Sequence, residues 1–237
     1  MTDTKLEYFG KDLEAMSFAQ NYHQWILEIF LPYLGKDVAE IGAGKGNFSD
    51  FLLDSNLENL VAFEPSENMY PELEKKYKQV AHVETVNALF ESRTSDFYNA
   101  FDSICYTNVL EHIENDSEAL SHAHNCLRKN GYLLIFVPAL AFLFSKMDKT
   151  LGHYRRYSKK NLFNLVSEQG FSIIKINYFD LVGIVPWYIA FVLFKRTINN
   201  SNVKYYDRFV IPFMKKIETI FPPPIGKNLV LIARKEK

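Results

Sequence analysis

The sequence predicts an α/β protein organised around a mostly parallel sheet of seven strands. Short apolar runs alternate with stretches whose apolar residues recur at helical spacing, which is typical of strands joined by helical crossovers. The run Tyr132–Val137 is apolar throughout, as expected of a central parallel strand buried on both faces. A further apolar run, Leu229–Arg234, follows a proline-rich segment and adds the last strand.

The first half of the chain alternates most clearly. Residues 18–34 place apolar side chains at 22, 25, 26, 29, 30 and 34, and Gly35 is expected to end this helix. Strands are predicted at 38–41, 59–64, 82–87 and 101–107, and further helices at about 46–54, 66–78 and 117–129. Asn130-Gly131 is expected to end the last of these helices.

The second half departs from this alternation. Residues 139–157 are predicted to form an irregular loop, after which Ser158 begins a helix that ends at 169–170. A strand follows at 171–178. The insertion 181–224 is rich in aromatic residues and carries no motif of its own.

Composition indicates a single domain over residues 1–237, with 1–35 forming an N-terminal helical cover. The formal net charge of −1 lacks the basic footprint expected of a nucleic-acid binder. Cys105 and Cys126 lie in apolar or helical surroundings and are expected to be reduced thiols. Because the first residues also lack the basic and apolar regions of a signal peptide, we expect a cytoplasmic protein.

One uncharged run, Leu181–Phe194, allows two interpretations. Its 14 residues are fewer than the about 20 that a membrane-spanning helix needs, and Pro186 interrupts them. The run is either a buried helix that roofs the active site or an interfacial element that meets lipid or a lipid-linked substrate.

The most informative segment is Val38–Ser49, which has the pattern of a buried strand, a glycine turn and the start of a helix. Glycine at every second position of the turn removes Cβ atoms where backbone must approach a ligand. Glu64 ends the next apolar run, and a carboxylate about 20 residues past a glycine turn is the expected acceptor for ribose hydroxyls. The dinucleotide fingerprint is not met, because Asn47 stands where it requires the third glycine.

The pattern Glu40-x-Gly42-x-Gly44-x-Gly46 instead resembles the first motif of class I S-adenosylmethionine-dependent methyltransferases. The segment Thr107–Glu114, with its Val-Leu-Glu-His-Ile core, looks like the corresponding segment of ubiquinone-type and related small-molecule methyltransferases. Asn21-Tyr22 with Trp25, and Gly152–Tyr157, resemble a subgroup from polysaccharide and natural-product gene clusters.

The resemblance covers about residues 18–180 and implies a Rossmann-like sheet with helices on both faces. It also implies that the C-terminal strand is antiparallel. The position and the aromatic content of the insertion 181–224 predict that it forms a helical cap. S-adenosyl-L-methionine is the implied cofactor.

The resemblance also implies which residues contact the cofactor. Glu64 should accept the ribose hydroxyls, Pro65 or Met69 should stack on adenine, and Asn108 should hold the methionine tail. Asn21 and Tyr22 could close over that tail from the N-terminal helix, or they could simply pack there. The full implied set is Tyr22, Glu40, Gly42, Ala43, Gly44, Gly46, Glu64, Pro65, Met69, Asn87, Ala88, Thr107 and Asn108.

The methyl acceptor is expected between the segments 139–157 and 181–224. Histidine is the usual base near neutral pH, so His112 and His153 are the candidates to take a proton from it. Arg155 and Arg156 could clamp a phosphate or carboxylate on the acceptor, because a guanidinium binds both bidentately, or they could pair with carboxylates at helix ends. Tyr154 and Trp187 suit an apolar pocket wall.

Several alternatives remain open at this point. The acceptor could be a small molecule, a glycan or a lipid-linked intermediate, and a nicotinamide-dependent oxidoreductase and a non-catalytic cofactor-binding protein are the rival functions. No metal site is expected, because His122-x-His124-x-Cys126 on a helix would point in different directions. No nucleic-acid substrate is expected, given the charge balance.

Overall fold

The computed structural model describes residues 19–195 and 200–236. Its strands are β1 Asp37–Ile41, β2 Asn59–Phe63, β3 Val83–Val86, β4 Phe101–Thr107, β5 Leu127–Pro138, β6 Phe171–Phe179 and β7 Asn228–Lys235. They form one sheet in the order β3-β2-β1-β4-β5-β7-β6. In this described sheet β7 runs antiparallel to both of its neighbours, and the other pairs are parallel. The predicted seven-stranded α/β fold with an antiparallel C-terminal strand is confirmed.

Helices pack on both faces of this sheet. They are α1 Gln20–Phe30, α2 Ser49–Leu53, α3 Tyr70–Tyr77, α4 Asp116–Cys126, α5 Lys146–Thr150, α6 Lys159–Glu168, α7 Ile184–Trp187, α8 Asn200–Tyr205 and α9 Ile211–Ile220. The expected cap of Ser158 on α6 is present, since its side chain accepts a hydrogen bond from the Asn161 amide.

The core is divided by the sheet into two layers. On β5, Leu133, Ile135 and Val137 pack into one hydrophobic cluster, whereas Leu134 and Phe136 pack into the other. Successive side chains of a strand point to opposite faces, so a strand buried on both faces must be apolar throughout. This is the physical reason for the uninterrupted apolar run in the sequence.

The predicted end of α4 is wrong. The helix stops at Cys126 and β5 starts at once, with Leu127 paired to Phe101. Asn130 has φ +67°, and the ladder changes register before Tyr132 pairs with Ser103. A Cβ on Gly131 would come 3.0 Å from the Asp102 carbonyl oxygen. Asn130-Gly131 therefore serves a strand irregularity, where two backbones approach closely, rather than a helix end.

The segment 139–157 is more regular than predicted. A 3-10 turn at Ala141–Leu143 and helix α5 lie within it. Ser145 begins α5 in a capping box, because its hydroxyl accepts from the Asp148 amide and the Asp148 carboxylate accepts from the Ser145 amide. This reciprocal pairing gives the segment a fixed shape.

The described part of the insertion 181–224 is helical, with α7, α8 and α9 and π-helical turns at Tyr188–Leu193 and Tyr206–Val210. The alternative of a buried helical roof is wrong for 184–193, because no residue of these two helical turns is buried. No helix within the described residues is long and apolar enough to cross a bilayer.

Helix α1 lies against the sheet and is bound to the insertion 181–224. Its backbone amides at Asn21 and Tyr22 donate to the carboxylate of Asp207, which ties α1 to the insertion. Residues 1–18 of the expected N-terminal cover, and 196–199 of the cap, lie outside the described residues.

Candidate functional site

Most of the predicted cofactor residues follow the carboxyl ends of β1, β2 and β4, whereas Asn87 and Ala88 follow β3 and Tyr22 lies on α1. Ile41 lies beside Phe63 and beside Tyr106 in the ladder, so the loops that follow the three strands begin at one level. The chain order reverses between β1 and β4, and such a switch point is where open α/β sheets bind their ligands.

The glycine turn has the backbone that the sequence pattern predicted. Gly42, Gly44 and Gly46 all have positive φ, at +68°, +59° and +78°. A Cβ on Gly42 would come 2.6 Å from a methyl group of Val109, the residue that follows Asn108 after β4. Glycine is therefore required both by conformation and by the close approach of the two loops.

Glu64 lies against this turn. Its carboxylate accepts hydrogen bonds from the amides of Gly44 at 2.7 Å and Ser66 at 2.8 Å. The side-chain amide of Asn87 donates to the Glu64 carbonyl at 2.9 Å, which connects the ends of β2 and β3. The two backbone bonds hold a buried carboxylate beside the turn.

Glu40 is buried beneath the same turn. Its carboxylate accepts a hydrogen bond from the hydroxyl of Ser49, the first residue of α2. Burial raises the pKa of Glu40 to about 8, and the Ser49 hydrogen bond works in the opposite direction. Glu40 therefore connects the strand before the turn to the helix after it.

The end of β4 carries an unsatisfied group. The hydroxyl oxygen of Thr107 is buried, and no hydrogen-bond partner for it occurs among residues 19–195 and 200–236. Next to it, Asn108 has φ +54°, and its amide donates to the Phe136 carbonyl at 2.8 Å. A buried hydroxyl without a partner is costly unless a ligand or water completes it.

Other residues of the predicted set are placed as follows. Met69 is buried just before α3, and Ala43 donates its amide to the Phe63 carbonyl. The Tyr22 hydroxyl donates to the side-chain oxygen of Asn228 at 3.0 Å, at the start of β7. The side-chain amide of Asn21 donates to Asp207. Tyr22 and Asn21 thus bind protein groups near the β5–β7–β6 side of the edge.

His112 and His153 come together although they are far apart in sequence. Their rings meet edge to face, with centroids 4.6 Å apart. Burial and the neighbouring His153 lower the pKa of His112 to about 3. The Nδ1 atom of His153 lies 3.1 Å from Oδ1 of Asp148. The pair lies beyond the end of β4, where the methyl acceptor was expected.

Both predicted arginines are paired with carboxylates. Arg156 Nε lies 2.7 Å from Oδ1 of Asp148, and its guanidinium lies 4.7 Å from the ring centroid of Trp187. Arg155 pairs with Asp116 and donates to the Glu114 carbonyl. Arg156 thus connects the 139–157 segment to the insertion through the Trp187 indole.

Tyr154 and Trp187 lie on the two segments that were expected to form the acceptor pocket. The Tyr154 side chain is largely exposed, and its amide donates to the Glu111 carbonyl at 2.9 Å. The indole nitrogen of Trp187 donates to the Leu143 carbonyl at 3.2 Å, so the insertion is anchored on the 139–157 segment.

Sequence reasoning missed two buried carboxylates. Asp148 is fully buried, and Arg156, His153 and Ser145 lower its pKa to about 2 against the effect of burial. Asp180, also fully buried, lies 2.9 Å from Lys227 Nζ. The Ser145-x-x-Asp148 capping spacing was readable in the sequence, whereas the position of Asp180 after β6 carried no signal.

Comparison with known proteins is consistent with this geometry. A family model described as a methyltransferase domain matches residues 15–176. The chain is 24% identical over 135 residues to the mitochondrial ubiquinone biosynthesis O-methyltransferase of Dictyostelium discoideum. That match covers 52% of this chain and 41% of the relative, so the chain spans less than half of its length.

Two solved structures share the fold over most of their length. A SAM-dependent methyltransferase from Archaeoglobus fulgidus is 20% identical with a TM-score of 0.64, covering 94% of this chain and 99% of the other. The 1,6-didemethyltoxoflavin-N1-methyltransferase of Burkholderia thailandensis, solved with its substrate and S-adenosylhomocysteine, is 18% identical with a TM-score of 0.62. This second match covers 96% of this chain and 83% of the other. At these identities the likeness is one of fold.

Proposed function

Since the chain belongs to the methyltransferase domain family, we propose that it transfers a methyl group from S-adenosylmethionine to an oxygen or nitrogen of an acceptor molecule. The acceptor is a small molecule, a glycan or a lipid-linked intermediate. The observation that carries the proposal is the buried Glu64 carboxylate held 2.7 Å from the Gly44 amide at the switch point of the sheet.

The residues at this edge fit the cofactor. Glu64 would accept the ribose hydroxyls, and the backbone from Gly42 to Gly44 would pack beneath the nucleoside. The buried Thr107 hydroxyl, which lacks a protein partner in the described chain, supports a polar ligand group at the end of β4. Asn108 would hold the amino-acid part of the cofactor there. The cofactor supplies an activated methyl group.

The protein contributes alignment and exclusion of water, because methyl transfer is an in-line displacement that needs a defined approach. A hydroxyl acceptor also has to lose a proton, and the His112–His153 pair is the group placed to handle it. Asp148 and Leu151 orient the two rings, through the contact with His153 and a hydrogen bond from His112. The pair is assigned to the acceptor side of the site.

Calorimetric titration tests the cofactor assignment and separates it from the oxidoreductase alternative. We expect S-adenosylhomocysteine to bind with one site per chain and NAD to give no saturable heat. Saturable binding of NAD in the absence of S-adenosylhomocysteine binding would overturn the proposal. A non-catalytic protein of this fold would bind S-adenosylhomocysteine but fail to consume S-adenosylmethionine with any acceptor of the three classes.

The acceptor is proposed to lie between 139–157 and the insertion 181–224. The indole nitrogen of Trp187 donates a hydrogen bond to the Leu143 carbonyl, and the Arg156 guanidinium lies over the Trp187 ring. The two segments therefore form one wall. This wall lies beside the histidine pair, because Arg156 and His153 share the same Asp148 oxygen. Tyr154 and Arg155 would contact the acceptor from the rim of the same segment.

The insertion also supports a peripheral contact with membrane, centred on 181–194. Its exposed apolar side chains include Leu181, Val182, Val185, Tyr188, Ile189, Leu193, Phe194, Phe209, Phe213, Ile220 and Phe221. Its acidic residues, Asp207 and Glu218, are both buried, whereas Lys195, Arg208 and Lys216 are exposed. Exposed apolar side chains together with exposed cations favour an anionic lipid headgroup layer.

Sedimentation with vesicles tests this contact. The protein should pellet with vesicles of phosphatidylglycerol and phosphatidylcholine at low salt, and much less with phosphatidylcholine alone. Val185→Asp with Leu193→Asp should abolish binding, and Glu74→Lys on the exposed face of α3 is the control. Equal sedimentation of wild type and the double variant would exclude this surface. We place the protein at the cytoplasmic side of such a membrane.

A further inference from the structure

We propose that Glu111, His112 and His153 form a binding site for a divalent transition-metal ion beside the acceptor position. One carboxylate oxygen and one nitrogen from each imidazole lie within 4.8 Å of one another. Two histidines and a carboxylate are a donor set that transition metals such as zinc, iron and cobalt bind readily. The function proposed above requires no such ion.

The three side chains come from two loops that are bound to each other. Glu111 and His112 belong to the 3-10 turn Leu110–His112 after β4, whereas His153 follows α5. The Tyr154 amide donates to the Glu111 carbonyl at 2.9 Å, and the His153 amide donates to the Asp148 carbonyl at 2.9 Å. Backbone contacts thus hold the ligand atoms of the three side chains near one another. Small inward movements of these side chains would let them coordinate one ion.

Each imidazole already has one neighbouring group that can fix its orientation. Nδ1 of His153 pairs with the buried Asp148 carboxylate, and the His112 ring donates to the Leu151 carbonyl. Ligating histidines nearly always donate their second nitrogen to a carboxylate or a backbone carbonyl, which fixes the tautomer and the ring orientation. Both of these second-nitrogen partners are present, one of each kind.

The balance of charge around the cluster also suits a cation. Asp148 is shared between His153 and Arg156, so its negative charge is already compensated outside the cluster. Glu111 is 1% exposed and contributes a carboxylate inside it. His112 and His153 each keep part of their surface exposed, and three protein ligands would leave further coordination positions to water or to the acceptor. Three protein ligands with open positions are typical of a catalytic rather than a structural ion.

The chemical consequence rests on the proposed methyl transfer. An acceptor hydroxyl coordinated to the ion becomes more acidic and loses its proton to solvent water. The oxygen then forms the new bond to the methyl carbon, while the bond from that carbon to sulfur breaks and its electron pair stays on sulfur. In this assignment the two histidines bind the ion, and this role replaces the direct acceptance of the proton that the proposed function assigns to the pair.

Cobalt(II) titration of the chelator-treated full-length protein tests the site directly. We expect one cobalt per chain, visible ligand-field absorption and displacement by zinc. Glu111→Gln and His153→Ala should each weaken binding by at least about tenfold. His82→Gln is the matched control, because His82 is an exposed histidine before β3. Circular dichroism verifies that each variant is folded.

The outcomes separate this site from the cofactor assignment. Cobalt bound equally by wild type, Glu111→Gln and His153→Ala, or no stoichiometric binding at all, would overturn the metal site and identify the histidine contact as side-chain packing. Calorimetry with S-adenosylhomocysteine on the same metal-free samples reports on the cofactor site independently. Loss of S-adenosylhomocysteine binding in wild type, with cobalt still bound, would refute the proposed function and leave the metal site intact.

Discussion

Replacing Glu64 with alanine tests the cofactor site most directly. In the structure this carboxylate accepts two backbone hydrogen bonds, from Gly44 and Ser66, and is 5% exposed. A hydrogen bond to a charged group contributes about 1.5–3 kcal/mol. Losing the ribose contact should therefore weaken S-adenosylhomocysteine binding by about 10- to 150-fold, since 1.4 kcal/mol corresponds to a factor of ten.

The same substitution should also lower the free energy of unfolding, because two buried amides lose their acceptor. At the lower value per bond, the loss is about 3 kcal/mol. Glu64→Gln should lose less, since its carbonyl oxygen still accepts from one of the two amides. Affinity is measured by calorimetry and stability by urea denaturation, with Glu74→Ala on the exposed face of α3 as the control. A folded Glu64→Ala protein with wild-type affinity would remove Glu64 from the cofactor site.

Three further outcomes are expected. Gly44→Val should abolish S-adenosylhomocysteine binding, because φ at this position is +59° and a β-branched residue rarely adopts a positive φ. Wild-type affinity in calorimetry would contradict the proposal that the glycine turn binds the cofactor. His153→Ala should depress turnover while leaving S-adenosylhomocysteine affinity within about threefold, and a parallel loss of both would place His153 in the cofactor site instead. Burial raises the pKa of Glu40 to about 8, above its unfolded value near 4.5. Between these two pH values the native state therefore binds a proton that the unfolded state has lost. The free energy of unfolding should fall as pH rises from about 4.5 to 8, by up to about 1.4 kcal/mol per pH unit. Glu40→Gln should flatten that slope in urea denaturation at a series of pH values, and an unchanged slope would show that Glu40 is not its source.

The fold followed from the sequence because its signals are local and repeated. β4 was placed at 101–107, where the structure has it, and the apolar run 132–137 within β5 revealed a strand buried on both faces. The glycine turn and Glu64 were equally readable, since positive φ at Gly42, Gly44 and Gly46 restricts the residue type directly. The sheet class needed no tertiary information, and the placement of the cofactor beside the glycine turn stays a prediction.

The ends of elements and the partners of polar groups were decided by long-range contacts. Asn130-Gly131 looked like a helix stop, yet pairing of Leu127 with Phe101 made it part of β5. Arg155 and Arg156 could either clamp an acceptor or pair with helix-end carboxylates, and only the fold shows that Asp116 and Asp148 are their partners. The preference of a residue for helix, strand or turn cannot predict these outcomes, because it does not depend on partners far along the chain.

The Rossmann-like sheet, the glycine turn and the carboxylate that follows it at the expected spacing were all readable from the residues alone. Only the tertiary structure brought His112 to His153, with centroids 4.6 Å apart, and set Asp148 behind them. The physical reason is that the glycine pattern is imposed by backbone conformation, residue by residue. A cluster of side chains from two loops depends instead on how those loops pack, and no spacing along the chain records it.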